Sequence, residues 1–255
     1  MEFKKLGKSD LTVSAYCLGT MTFGEATSET DSHLQIDQSL ASGINFIDTA
    51  EMYPTCPLRE ETTGDTEVII GNWIEKNKSK RADFVLATKI SGKGYKAVRN
   101  GEGIDEKSIK IAIEGSLKKL KTDYIDLYQL HWPNRGSYHF RQNWNYNPTN
   151  QDTEIAKDNI NGVLNSLSDL QKEGKIRHIG LSNETCWGTS HFLDQLKNFS
   201  NLIIASIQNE YSLLCRLYDL DMAEMSHHEN ISLLSYSPLA GGFLTGKYRS
   251  EEHTS

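Results

Sequence analysis

Short apolar runs alternate with amphipathic stretches along most of this chain, and that rhythm limits the fold more than any other feature. Residues 44–48, 84–88, 125–130, 176–181, 202–208 and 231–236 read as strands that are apolar on both faces, as buried parallel strands are. Between them lie helical patterns at 31–42, 67–77, 105–121 and 158–173, with further helical segments near 185–197 and 217–228. The clearest is 105–121, where Ile109, Ala112, Ile113, Ser116, Leu117 and Leu120 form one stripe and Asp105 stands at the N-cap position. Residues 3–12 predict a small β-hairpin turning at Gly7-Lys8-Ser9-Asp10, and 13–18 a strand that ends at Gly19.

Strand–helix alternation implies a parallel sheet, either doubly wound or closed as a (β/α)8 TIM barrel. The polar residues that end so many strands favour the barrel, in which every strand points at one face. No linker or change of composition divides the chain, so a single domain over 1–255 is expected. Seven strands are countable where a barrel has eight, which predicts a barrel truncated after strand 7, behind an N-terminal hairpin. A gene product or fragment cut short is the plain reading. Completion by a second chain and a reduced barrel are the alternatives.

Net charge is −7, which disfavours a broad nucleic-acid or anionic-membrane surface. Cys17, Cys56, Cys186 and Cys215 are scattered without zinc spacing and read as reduced structural thiols, and no metal site is expected. The N-terminus lacks an apolar leader core and no run approaches a membrane span, so a cytoplasmic protein is expected.

Asp48, Lys89 and His131 each follow an apolar run, about one βα unit apart, and Tyr53 lies just beyond the first. A Lys at a strand end is ordinarily a solvated terminus, and a His there is ordinarily structural. Their joint occurrence points to a site. A free phenol has a pKa of about 10 and is a poor acid near neutrality, but an adjacent ammonium lowers it. Asp48 would hold that ammonium, and His131 would orient a carbonyl oxygen. The four make a proton donor for a developing alkoxide.

The chain resembles the aldo-keto reductase family in Gly19-Thr20-Met21, in the stretch from Phe46 to Tyr53, and in Ala87-Thr88-Lys89. The resemblance continues in the stretch from Asp123 to Trp132, in Gly180-Leu181-Ser182-Asn183 and in Tyr236-Ser237-Pro238-Leu239, all in the family's order. The pattern is most similar to the Tas-type bacterial branch, related to the potassium-channel β-subunits. The resemblance implies a nicotinamide cofactor, usually NADPH, with NAD also open, and a small-molecule carbonyl substrate. Tyr53 would be the general acid, tuned by Lys89 and Asp48, with His131 positioning the carbonyl. Gly19, Thr20, Met21 and Asp48 would contact the cofactor. Ser182, Asn183 and Gln208 would bind its carboxamide, Tyr236 would stack on the nicotinamide, and Ser237, Leu239 and Lys247 would flank the pyrophosphate. In the family most contacts to the 2′-phosphate come after the last residues present here, so the NADP-over-NAD preference stays open. A non-catalytic binding subunit is the second reading.

Two motifs mislead. Gly241 to Lys247 fits a phosphate-binding loop, but Tyr248 stands where that loop needs Ser or Thr. Gly92-Lys93-Gly94 is half of a dinucleotide fingerprint and reads as a flexible βα loop. The segment 133–157 is long and aromatic, and Tyr138, Trp144 and Tyr146 suggest an aromatic-tolerant substrate pocket.

Overall fold

Strands β1 (Phe3–Lys5) and β2 (Thr12–Ser14) pair antiparallel, and the computed structural model describes residues 1–248. Residues 249–255 of the single domain expected over 1–255 lie outside the described residues. Gly7 makes the turn with φ +55°, and its N–H donates to Ser232 Oγ at 2.8 Å, far along the chain. The strand read from the sequence over 13–18 is in fact two. Val13 belongs to the hairpin, while β3 (Leu18–Gly19) belongs to the main sheet. Apolar content could not show that the chain leaves one sheet and enters another here.

Among the described residues the main sheet has seven parallel strands in chain order: β3, β4 (Phe46–Asp48), β5 (Val85–Ile90), β6 (Ile125–Leu130), β7 (Ile176–Ser182), β8 (Ile204–Glu210) and β9 (Ser232–Tyr236). The helices between them are α1 (Glu29–Ala41), α2 (Asp65–Lys76), α3 (Glu106–Leu120), α4 (Thr153–Lys172), α5 (Cys186–Leu196) and α6 (Met222–Glu229). A doubly wound sheet reverses its strand order at a switch point. This one never does, so it is the curled wall of a barrel.

Alternation along each strand divides the core in two. Ile47, Leu86, Tyr128 and Ile179 face outward to the helices. Phe46, Val85, Ala87 and Leu127 face inward and pack on Leu6, Leu11 and Val13 of the hairpin. The hairpin is thus a floor for the barrel interior. On the outside, α2 lies so close to α3 that a Cβ on Gly71 would sit 1.9 Å from the Lys119 carbonyl oxygen.

Asp105 caps α3 as expected, accepting from the Lys107 and Ser108 backbones in a capping box. Helix α4 begins at Thr153 rather than 158, because the Asp152 side chain accepts from the Ile155 N–H and starts the helix early. The long loop therefore ends at Asp152. Among the described residues no helix is long and apolar enough to cross a membrane.

Candidate active site

The strand ends bring the four expected residues together. Asp48 is the last residue of β4, Lys89 the penultimate residue of β5, and His131 follows β6 directly. Tyr53 reaches the group from the turn after β4. Lys89 is fully buried and its ammonium donates to Asp48 Oδ2 at 2.5 Å, to the Thr49 carbonyl at 2.8 Å and to Tyr53 Oη at 3.4 Å. The His131 ring meets the Tyr53 ring edge-on, with centroids 5.8 Å apart. Its backbone is fixed from both sides, the N–H on the Ile90 carbonyl and the carbonyl accepting from Asn183 Nδ2 at 2.9 Å.

Burial sets the protonation states. Desolvation raises the Tyr53 pKa above its ordinary value and outweighs the opposing pull of Lys89. The expected lowering by the ammonium is present but loses to burial, so Tyr53 is a phenol at neutral pH. Burial alone would lower the Lys89 pKa, but Asp48 and Tyr53 together hold it above the usual lysine value. Burial, aided by the Lys89 charge, pushes His131 well below its ordinary value, so the imidazole is neutral. Its Nδ1 is buried and has no partner among the described residues.

Ser182, Asn183, Gln208 and Tyr236 gather beside this group. Tyr236 Oη donates to Asn183 Oδ1 at 2.8 Å, and Asn183 Nδ2 donates to Ser182 Oγ at 3.1 Å. Ser182 Oγ donates to the Gln208 carbonyl, while Gln208 Nε2 donates to Asp48 Oδ1 at 3.1 Å. Gly19 is the register partner of Asp48, and Thr20, fully buried, gives its hydroxyl to the Asp48 carbonyl. Met21 is exposed close by. Ser237, Leu239 and Lys247 lie beyond β9, and among the described residues they hydrogen-bond within their own segment. Lys247 folds back so that a Cβ on Gly242 would stand 2.9 Å from its Nζ.

Several residues were not singled out by sequence. Gln129 of β6 donates to Asp48 from inside the barrel at 2.8 Å. Glu51 accepts from the Ser91 N–H at 2.5 Å and pairs with Arg99, which also donates to the Ser91 carbonyl. Those bonds, with Trp132 Nε1 donating to the Lys93 carbonyl, hold the glycine loop at 92–94, where the sequence alone predicts flexibility. Gly92 is needed there because a Cβ would lie 2.3 Å from the Trp132 carbonyl oxygen. Arg135 in the long loop forms a two-pronged ion pair with Glu184, tying that loop to the start of α5. Trp144 points into solvent, 90% exposed. Tyr138 does line a cavity, of about 720 Å³, with Glu210, Leu214 and Phe243. A second cavity of about 690 Å³ lies between Trp132 and the first turns of α3 and α4. Neither is lined by Tyr53, Lys89 or His131. Among the described residues no cluster of three metal-ligating side chains occurs.

A model of the aldo/keto reductase family matches residues 15–255. The protein tas of Escherichia coli (strain K12) is 44% identical over 251 residues, which cover 97% of this chain and 71% of that protein. The uncharacterized oxidoreductase YrpG of Bacillus subtilis (strain 168) is 32% identical over 254 residues, covering 97% of this chain and 69% of its own length. Norsolorinic acid reductase B of Dothistroma septosporum is 29% identical over 266 residues, covering 98% and 60%.

Proposed function

This chain belongs to the aldo/keto reductase family of oxidoreductases, and from that premise we propose that it reduces aldehydes or ketones with NADPH, Tyr53 acting as the acid. The observation that carries this reading is Lys89 Nζ standing between Asp48 Oδ2, at 2.5 Å, and Tyr53 Oη, at 3.4 Å. A buried ammonium there stabilises the phenolate that forms as the proton leaves. Raised by burial, Tyr53 keeps its proton until a stronger base, the developing alkoxide, arrives beside it. A neutral His131 donates one N–H to the carbonyl oxygen and orients it without acting as the acid.

The amides and hydroxyls of Ser182, Asn183 and Gln208, already grouped beside Asp48, suit a nicotinamide carboxamide. These residues would hold it, with Tyr236 against the ring, Gly19, Thr20, Met21 and Asp48 at the neighbouring ribose, and Ser237, Leu239 and Lys247 at the pyrophosphate. The bound cofactor supplies the hydride, and the protein supplies binding, orientation and the proton.

The test is coenzyme oxidation with 4-nitrobenzaldehyde, using NADPH and NADH in parallel. Turnover is expected with NADPH, and Tyr53→Phe should lower kcat by roughly 100-fold or more, the contribution of a positioned acid. Unchanged turnover in Tyr53→Phe would overturn the assigned role. NADPH binding, seen as fluorescence quenching, with no turnover of any aldehyde would favour the non-catalytic reading.

A further inference from the structure

Gln129 is fully buried on the inner face of β6, the register partner of Lys89 on one side and of Gly180 on the other. Burying a primary amide in a strand costs stability unless its polar atoms find partners. Its Nε2 donates to Asp48 Oδ1 at 2.8 Å. Gln208 Nε2, on β8 two strands further along the sheet, donates to the same oxygen at 3.1 Å. Among the described residues Asp48 Oδ2 is left to Lys89. One carboxylate oxygen is therefore held by two amides and the other by the ammonium.

We propose that Gln129 is a positioning residue for the proton transfer, fixing the Asp48 carboxylate so that Lys89 is shared correctly between Asp48 and Tyr53. This rests on the reading of Tyr53 as the acid. A carboxylate held only by Lys89 is free to rotate about its side-chain bonds, and the ammonium would follow it away from the phenol. Two donors on Oδ1 remove that freedom. They also draw negative charge toward Oδ1, away from the oxygen facing Lys89, which leaves more of the ammonium's field for Tyr53.

Two further observations bear on the orientation of Gln129. Among the described residues its Oε1 has no partner, so the amide direction is set by Asp48, since the reversed amide would press oxygen against carboxylate. Gly180 makes the space: a Cβ there would stand 3.1 Å from Gln129 Cγ and 2.8 Å from Ser206 Oγ. The titratable groups that act on the Asp48–Lys89 pair are Cys17, Tyr53 and His131, while His178 on β7 is paired with Asp10.

Two substitutions separate donation from bulk. Gln129→Met keeps the length and removes the donor. A fall in kcat of roughly tenfold or more is expected, with KM little changed, as for loss of a hydrogen bond to a charged group. Gln129→Glu donates to Asp48 only while its own carboxyl is protonated. Its kcat should approach wild type at acid pH and fall as that carboxyl ionises, a limb absent from wild type and from Gln129→Met. Profiles of both variants superimposable on wild type would overturn the proposal. A readout independent of turnover is the side-chain amide signal of Gln129 in protein labelled with 15N-glutamine, assigned by its loss in Gln129→Met. Slow exchange and a shift on Asp48→Asn are expected; a rapidly exchanging signal unmoved by Asp48→Asn would overturn it. If wild type turns over no aldehyde with either coenzyme, the reading of Tyr53 fails, and the amide signal alone decides the role of Gln129.

Discussion

His139 lies inside the long loop after β6, with its ring buried and Nε2 at 3.2 Å from the Glu184 carbonyl oxygen. Burial pushes its pKa down from 6.5 to about 4. Between those values the unfolded chain binds a proton that the folded chain refuses, so stability is full above about pH 6.5 and drains away as pH falls toward 4. At about pH 5 the loss from this one group is about 2 kcal/mol. His131, also depressed, acts in the same direction, so the difference between wild type and His139→Gln isolates His139. Urea midpoints at pH 7.5 and pH 5 should diverge less in His139→Gln than in wild type; equal divergence would show that His139 is not held neutral. At this scale the sequence was informative where residue type and strand end coincide, as at Asp48, Lys89 and His131. It was silent on Gln129, whose role depends on a partner 81 positions away. It also missed the net direction for Tyr53, because burial is a property of the whole packed site.

Helices α2 and α3 meet at Gly71, and here two effects compete. In a free helix Gly→Ala would stabilise by about 1 kcal/mol. In this one the new Cβ would fall 1.9 Å from the Lys119 carbonyl oxygen, which backbone cannot yield without moving α3. Overpacking of that kind costs roughly 1–3 kcal/mol or more and wins. Gly71→Ala should therefore lower the urea midpoint; a raised midpoint would mean that the two helices slide apart freely. Elements with strong periodicity were legible, above all α3 with its Asp105 cap. The start of α4 was not, because its first turn presents Thr153, Glu154 and a 69%-exposed Ile155, giving no inward stripe to read. The cap at Asp152 decides it.

Across the whole molecule the strand order distinguishes the curled wall from a doubly wound sheet, and the hairpin closes its lower end. Alternation alone left both sheet types open; only pairing between neighbours in sequence resolves them. Gly7 is where hairpin and wall touch: a Cβ would lie 2.4 Å from the Ala205 carbonyl oxygen and 2.9 Å from that of Asn230, at φ +55°. Gly174 provides the control, with φ +75° and nothing within 4 Å of a Cβ. Gly174→Ala should cost about 1 kcal/mol of backbone strain, and Gly7→Ala about 2 kcal/mol more, by differential denaturation. Equal losses would mean that the hairpin rests loosely on the wall.

The closed floor also decides how the protein can be handled. Met1 is half exposed and packs beside Gly43, just ahead of the β4 end opposite Asp48. A tag, tether or fluorescent reporter joined through Met1 therefore leaves from underneath. Molecules anchored to a sensor chip that way would all stand with their mouths toward the flowing solution.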